Sequence, residues 1–126
     1  MRCFLNAERK VMPNKYTCSN GERVSQSVID RRRSETYKRL YAGEPHPMCG
    51  CLKPAQGTAH WVPQKVCKEE GITEYCWLEI NMVASCHTCN SKIENISVAS
   101  PSDWFYDQLV EVTKKILPSR YLKMIE

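Results

Sequence analysis

Residues 47–92 read PMCGCLKPAQGTAHWVPQKVCKEEGITEYCWLEINMVASCHTCNSK, and they hold one C-x-C pair and one C-x2-C pair of cysteines on either side of His60. Two closely spaced cysteine pairs separated by a long gap form the usual ligand layout of a structural zinc site. The stretch therefore predicts a structural zinc site, although C-x-C departs from the common C-x2-C spacing, so that either both of its sulfurs ligate or only one does. The candidate ligands are Cys49, Cys51, Cys86 and Cys89.

Composition limits the classes of protein that fit the chain. Its 126 residues suit one small domain, and 42% hydrophobic and 25% charged residues are ordinary for a folded soluble protein. No apolar run reaches the length of a membrane span, and residues 1–10 lack the apolar core of a signal peptide. We therefore expect a cytoplasmic protein in which the eight cysteines serve metal binding. A secreted, disulfide-rich protein is the alternative.

Four further cysteines remain once the first zinc site is filled. They could form a second zinc site, or they could be four unconnected buried thiols. A count of zinc ions per chain separates the two cases, since two ions support the second site and one rejects it. These cysteines are Cys3, Cys18, Cys67 and Cys76.

A basic helix is predicted over residues 25–42, with Ser25 or Ser27 as its N-cap and Gly43 after its end. Apolar residues fall at three- and four-residue steps on one face. A charged face is usually just solvated, but five basic residues here also suit contacts with nucleic-acid phosphates, and the net charge of +4 permits them. The five basic residues are Arg31, Arg32, Arg33, Lys38 and Arg39.

Two more helices are predicted after the second cysteine pair. One follows Cys86, with Ser85 or Thr88 as its cap, and it places Asn90 and Glu94 on one face because they are four residues apart. The other covers residues 100–117. Ser100-Pro101-Ser102-Asp103 is its predicted start and Pro118 its end. Its apolar repeat predicts core packing and consists of Phe105, Leu109, Val112 and Ile116.

The motifs His60-Trp61-Val62-Pro63, Asn81 and Cys86-His87-Thr88-Cys89-Asn90-Ser91-Lys92 resemble the HNH endonuclease motif. That motif belongs to the His-Me finger, or ββα-metal, nucleases, and the resemblance covers residues 47–96. It implies an α+β fold, with a small ββα-metal core that carries a structural zinc and is flanked by helices. The chain then forms a single HNH nuclease-like domain over residues 1–126. Residues 1–46 form an arm and the basic helix, 47–96 the core, and 97–126 the C-terminal helices.

The resemblance also assigns roles to single residues. His60 matches the general base that activates water, and imidazole titrates in the range this task needs. Asn81 matches the residue that orients the histidine. Asn90 matches a ligand of a catalytic divalent metal, Mg²⁺ or Mn²⁺, which stabilises charge on the phosphate. The all-thiolate zinc is coordinatively closed and hence structural.

Ala59 departs from the family pattern, because an Asp or His metal ligand usually precedes the catalytic histidine. Glu94 is the candidate replacement, since it shares a helix face with Asn90 and carboxylates suit Mg²⁺. The alternative is a degenerate site in a non-catalytic zinc protein that binds nucleic acid. The expected partner is DNA, contacted by the basic helix and by Lys92. A cut through both strands would require a homodimer.

Overall fold

The computed structural model describes residues 15–42 and 47–124, and it is an α+β structure, as predicted. Its strands are short and are paired in two antiparallel hairpins. In chain order the described elements are β1 (Lys15–Thr17), β2 (Arg23–Ser25), α1 (Gln26–Tyr41), β3 (Gly57–His60), α2 (Gln64–Glu69), two 3-10 helices (Thr73–Cys76 and Glu79–Asn81), β4 (Met82–Ser85), α3 (His87–Glu94), α4 (Tyr106–Ile116) and α5 (Pro118–Met124).

The second hairpin forms the centre of the molecule. Strands β3 and β4 pair from Gly57 opposite Ser85 to His60 opposite Met82. Helix α3 follows β4 directly and packs against β3. Since side chains alternate along a strand, Thr58 and His60 lie on one face of β3 and Ala59 lies on the other. The excursion between the two strands, residues 61–81, carries α2 and both 3-10 helices.

The first hairpin turns at Asn20-Gly21, a dipeptide that is typical of turns. Gly21 has φ +92°, a left-handed conformation that glycine adopts readily, and the Cys18 N–H donates to the Glu22 carbonyl at 2.7 Å. The Thr73 hydroxyl donates to the Thr17 carbonyl at 2.6 Å. This bond attaches the first hairpin to the excursion between β3 and β4.

Helix α1 agrees with its prediction to within one residue at each end. Ser25 is the N-cap, and its hydroxyl accepts a hydrogen bond from the Val28 N–H. The helix ends at Tyr41, and Ala42 follows in the left-handed conformation with φ +47°. Gly43 lies outside the described residues. Midway along, the Thr36 hydroxyl donates to the Trp77 carbonyl at 2.6 Å, so α1 packs on the excursion.

The predicted helix over residues 100–117 begins later than expected, at Tyr106. The Asp103 carboxylate accepts a hydrogen bond from the Ser100 N–H at 2.9 Å and pairs with Lys92 at 3.3 Å. These contacts close a turn instead of capping a helix. Pro118 does end α4, but it also starts α5.

The start of α3 also differs from its prediction. Cys86 is the N-cap, and neither Ser85 nor Thr88 provides a side-chain cap. The side chain of Gln56 accepts the hydrogen bond from the His87 N–H at 3.0 Å, so a distant residue caps the helix.

The core lies between α3, α4 and the second hairpin. The predicted apolar repeat of α4 is confirmed, because all four of its residues are buried. Ile29 of α1, Val62 and Ile93 of α3 are fully buried with them. Among the described helices, none is long and apolar enough to cross a lipid bilayer.

Candidate functional site

The four predicted cysteine ligands come together, and their Sγ atoms all lie within 4.8 Å of one another. The sulfurs of Cys51 and Cys86 lie 3.5 Å apart. A tetrahedral zinc with Zn–S bonds of about 2.3 Å sets its sulfurs about 3.8 Å apart, which fits this cluster. All four thiols are free. The cluster could therefore hold a metal ion, and both sulfurs of the C-x-C pair take part.

A tight turn presents the first cysteine pair. The Cys49 N–H donates to the Lys53 carbonyl at 2.7 Å, and the Leu52 N–H donates to the Cys49 carbonyl at 2.8 Å. The ring of Trp104 lies directly against Gly50, since a Cβ added at Gly50 would come within 2.4 Å of it. Gly50 is therefore required by a close approach of the ring and not by its backbone conformation.

Trp104 also reaches the cluster itself. Its indole N–H donates to the Cys89 sulfur at 3.4 Å. Hydrogen bonds to a ligand atom orient it and tune the metal site. No pattern in the sequence indicates this contact, because Trp104 lies outside the motif and reaches the cluster through the turn at Ser100–Asp103.

The thiols of the cluster differ in acidity. The backbone N–H of Cys89 donates to the Cys86 sulfur and is the main cause that lowers the Cys86 pKa to about 6. Burial raises the pKa of Cys89 to about 12. Cys86 is therefore the thiol that is most readily available to a metal as a thiolate.

His60 sits at the end of β3 with 2% of its surface exposed. Its Nε2 lies 2.8 Å from the Cys76 carbonyl oxygen, which can only accept, so Nε2 carries the proton and donates. In the neutral ring Nδ1 is then the basic nitrogen. Burial lowers the His60 pKa, and the nearby Arg33 cation lowers it further. The imidazole is thus uncharged at neutral pH, with its single proton on Nε2.

Asn81 ties the two ends of the excursion together. It is fully buried, its Oδ1 accepts from the Val62 N–H at 2.8 Å, and its Nδ2 donates to the carbonyls of Val62 and Tyr75, each at 2.9 Å. A backbone bond from the Trp61 N–H to the Asn81 carbonyl adds to them. These contacts hold the chain immediately after His60 in place.

The predicted catalytic metal ligands lie on α3. Asn90 has a buried Oδ1 with no hydrogen-bond partner among the described residues, which leaves it available as a ligand. Glu94 is the last residue of α3 and is exposed, and partial burial raises its pKa. Ala59 is fully buried and offers no ligand atom. The divalent metal site stays a prediction.

The predicted DNA-contacting residues differ in their surroundings. Arg32 pairs with Glu22 at 3.2 Å and lies over the Trp77 ring, and Arg39 lies 3.6 Å from Glu79. Lys92 pairs with Asp103. Arg31 and Lys38 are exposed, and no ion pair of the described residues includes them. Arg33 is half-buried and faces towards His60.

The remaining cysteines do not form a second group of this kind within the described residues. Cys67 and Cys76 are both buried, and their thiols donate to backbone carbonyls, Cys67 to Val62 at 3.5 Å and Cys76 to Gln64 at 3.8 Å. Cys18 is buried but does not join them in a set of three ligands. Cys3 lies outside the described residues, so a second zinc site that includes it stays a prediction.

No protein-family model, curated protein or solved structure significantly matches this chain. The resemblance to HNH endonucleases therefore rests on the motif residues and on nothing else.

Proposed function

We propose that this chain is a metal-dependent endonuclease that hydrolyses DNA phosphodiester bonds, with His60 as its general base. The observation that carries the proposal is the orientation of the imidazole. Because Nε2 donates to the Cys76 carbonyl, the unprotonated Nδ1 is left to take a proton. The lowered pKa keeps the ring in this basic form at neutral pH.

The surroundings of His60 support this role. Asn81 fixes the chain on the C-terminal side of His60 through two side-chain hydrogen bonds to the Val62 backbone. A base held in one orientation needs no rearrangement before it accepts a proton.

Asn90 supplies one ligand for the catalytic metal through its unpartnered Oδ1, and Glu94 is the proposed second ligand. When bound, Mg²⁺ or Mn²⁺ neutralises charge that develops on the scissile phosphate. The four-cysteine cluster holds a structural zinc in this proposal, and it joins the turn at Cys49–Cys51 to the start of α3.

A second function is favoured by Ala59. This residue is fully buried where the family carries a metal ligand, and His60 beside it is almost fully buried. A zinc-stabilised module that binds nucleic acid without cutting it needs neither a metal ligand at position 59 nor an accessible imidazole at position 60. The exposed cations of α1 would serve that function equally well.

Nicking of supercoiled plasmid by zinc-loaded protein, with Mg²⁺ or Mn²⁺ added, tests the proposal. We expect His60→Ala to lower the nicking rate by about 100-fold or more, as for loss of a general base. His87→Ala is the matched control, because His87 is exposed on α3, and it should keep the rate within about twofold. Zinc content and the thermal midpoint of each variant report whether it is folded.

Two results would count against cleavage. If wild-type protein binds labelled duplex DNA but nicks nothing with either metal, the non-catalytic function is correct. If folded His60→Ala nicks as fast as wild type, His60 is not the base.

A further inference from the structure

Arg33 is a half-buried cation without an anionic partner in the described part of the chain. Three ion pairs occur there, and they involve Arg32, Arg39 and Lys92. The Arg33 Nε is buried and makes no hydrogen bond within residues 15–42 and 47–124. A partly buried charge is costly unless an anion or several hydrogen bonds compensate it. The charge of Arg33 would therefore be compensated by an anionic ligand.

A second orphaned group lies on the same cleft. The Thr58 hydroxyl on β3 is buried and also lacks a hydrogen-bond partner among the described residues. A cleft of about 370 Å³ opens between α1 and β3, and none of the described residues that line it is acidic. Its lining residues are Arg33, Ser34, Tyr37, Gly57 and Thr58. A guanidinium and hydroxyl groups around one space form a donor set that suits an oxyanion.

The cleft and His60 share one face of β3. Thr58 is two residues before His60 on this strand, so the two side chains lie on the same side of it. The Arg33 charge also acts on the His60 ring and lowers its pKa. An anion bound to Arg33 and Thr58 would thus lie on the same face of β3 as the imidazole.

We propose that the cleft between α1 and β3 binds a backbone phosphodiester of nucleic acid through the Arg33 guanidinium and the Thr58 hydroxyl. This site is separate from the exposed cations of α1, which contact phosphates without a pocket. The anion site stands on the two orphaned donors, whereas its link to a phosphodiester rests on the proposed function. Arg33 then acts as a residue that positions the substrate beside His60.

The test titrates the zinc-loaded full chain with inorganic phosphate and, separately, with the dinucleotide thymidylyl-thymidine, whose one charge is a phosphodiester. Ionic strength is held constant with sodium chloride, and no other divalent metal is present. Backbone amide chemical shifts report the affinity and the place of binding. We expect the dinucleotide to shift the amides of residues 33–37 and 57–60.

Matched variants separate the pocket from general electrostatics. Arg33→Gln should weaken dinucleotide binding by about tenfold or more, since a charge-assisted hydrogen bond is lost. Thr58→Val keeps the side-chain shape and should weaken it by about threefold. Arg23→Gln removes an equal charge from an exposed position on β2 and should change the affinity by less than about twofold. If Arg33→Gln does not fold, Arg33→Lys, which keeps the charge, takes its place in the same binding measurement.

Several results would overturn the inference. Equal weakening by Arg23→Gln and Arg33→Gln would show unspecific attraction. Binding of inorganic phosphate alone would reject the phosphodiester, and shifts elsewhere would reject the cleft. No cleavage is needed in this assay, so a chain that binds the dinucleotide at Arg33 but never nicks DNA refutes the endonuclease while leaving this site intact.

Discussion

The buried imidazole of His60 makes the stability of the protein depend on pH. Burial lowers the pKa of His60 in the folded state, whereas the unfolded chain takes up this proton near pH 6.5. The unfolded state therefore binds more protons below pH 6.5. The stability contributed by the neutral ring is fully present above that pH and is lost as pH falls from about 6.5 through the lowered folded pKa.

We expect the free energy of unfolding of the wild type to fall by up to about 1.4 kcal/mol per pH unit in this window because of His60. His60→Gln should lack this contribution, while the exposed His87→Gln should retain it. Urea unfolding of zinc-loaded protein between pH 7.5 and 5.5 measures the difference. Loss of zinc in acid affects all three proteins alike, so identical pH profiles would contradict the prediction.

Trp104 should tune the metal cluster through its hydrogen bond to Cys89. Trp104→Phe keeps a ring against Gly50 but removes the N–H donor at 3.4 Å from the sulfur. We expect zinc affinity to fall by about tenfold, as for other groups that hydrogen-bond a ligand. Competition with a chelator measures the affinity. Trp77→Phe is the control, and an equal loss in both variants would count against the role of the N–H group.

At the scale of elements, α1 carries cations of two kinds. Arg32 is paired with Glu22 and lies over Trp77, but Arg31 and Lys38 are exposed and lie seven residues apart on one helix face. Only unpaired cations are free to replace the counterions of DNA. The two kinds of cation should therefore differ in how they affect the salt dependence of binding.

For duplex DNA, Arg31→Gln combined with Lys38→Gln should lower the slope of log affinity against log salt by about 1.8, since two phosphate contacts are lost. Arg32→Gln should change the slope by less than about 0.5, because Glu22 already neutralises it. Fluorescence anisotropy at a series of salt concentrations measures both slopes. A larger change for Arg32→Gln would show that the helix binds DNA through another face.

The elements also show how far sequence reasoning reaches. Helix α1 and the four-cysteine cluster were predictable, because a cap, an apolar period and ligand spacing are local patterns. The helix start predicted at Ser100–Asp103 was wrong, since a carboxylate that can cap a helix can equally close a turn. The contacts of Trp104 with Cys89 and of Arg33 with the β3 cleft join distant parts of the chain. No local pattern encodes such contacts, so they emerge only from the folded structure.

For the whole molecule, the four-cysteine cluster joins residues 49–51 to the start of α3. We expect one zinc per chain, and we expect a chelator to lower the thermal midpoint by at least about 10 °C, the shift that a loss of roughly 2–3 kcal/mol causes in a small domain. Cys51→Ser should lose the zinc and Cys18→Ser should keep it. Elemental analysis and thermal unfolding measure the outcomes, and loss of zinc in Cys18→Ser would instead support a second site.

The two hydrogen bonds between the Asn81 side chain and the Val62 backbone make the excursion between β3 and β4 a loop closed at its base. Midway along it Glu69 and Glu70 are exposed, and the half-buried Gly71 turns there with φ +73°. A peptide inserted at this tip would lengthen a loop whose ends stay fixed, and each doubling of loop length costs only about 0.6 kcal/mol. The tip is thus a place to attach a tag or a fluorophore while leaving the imidazole and the thiolates undisturbed.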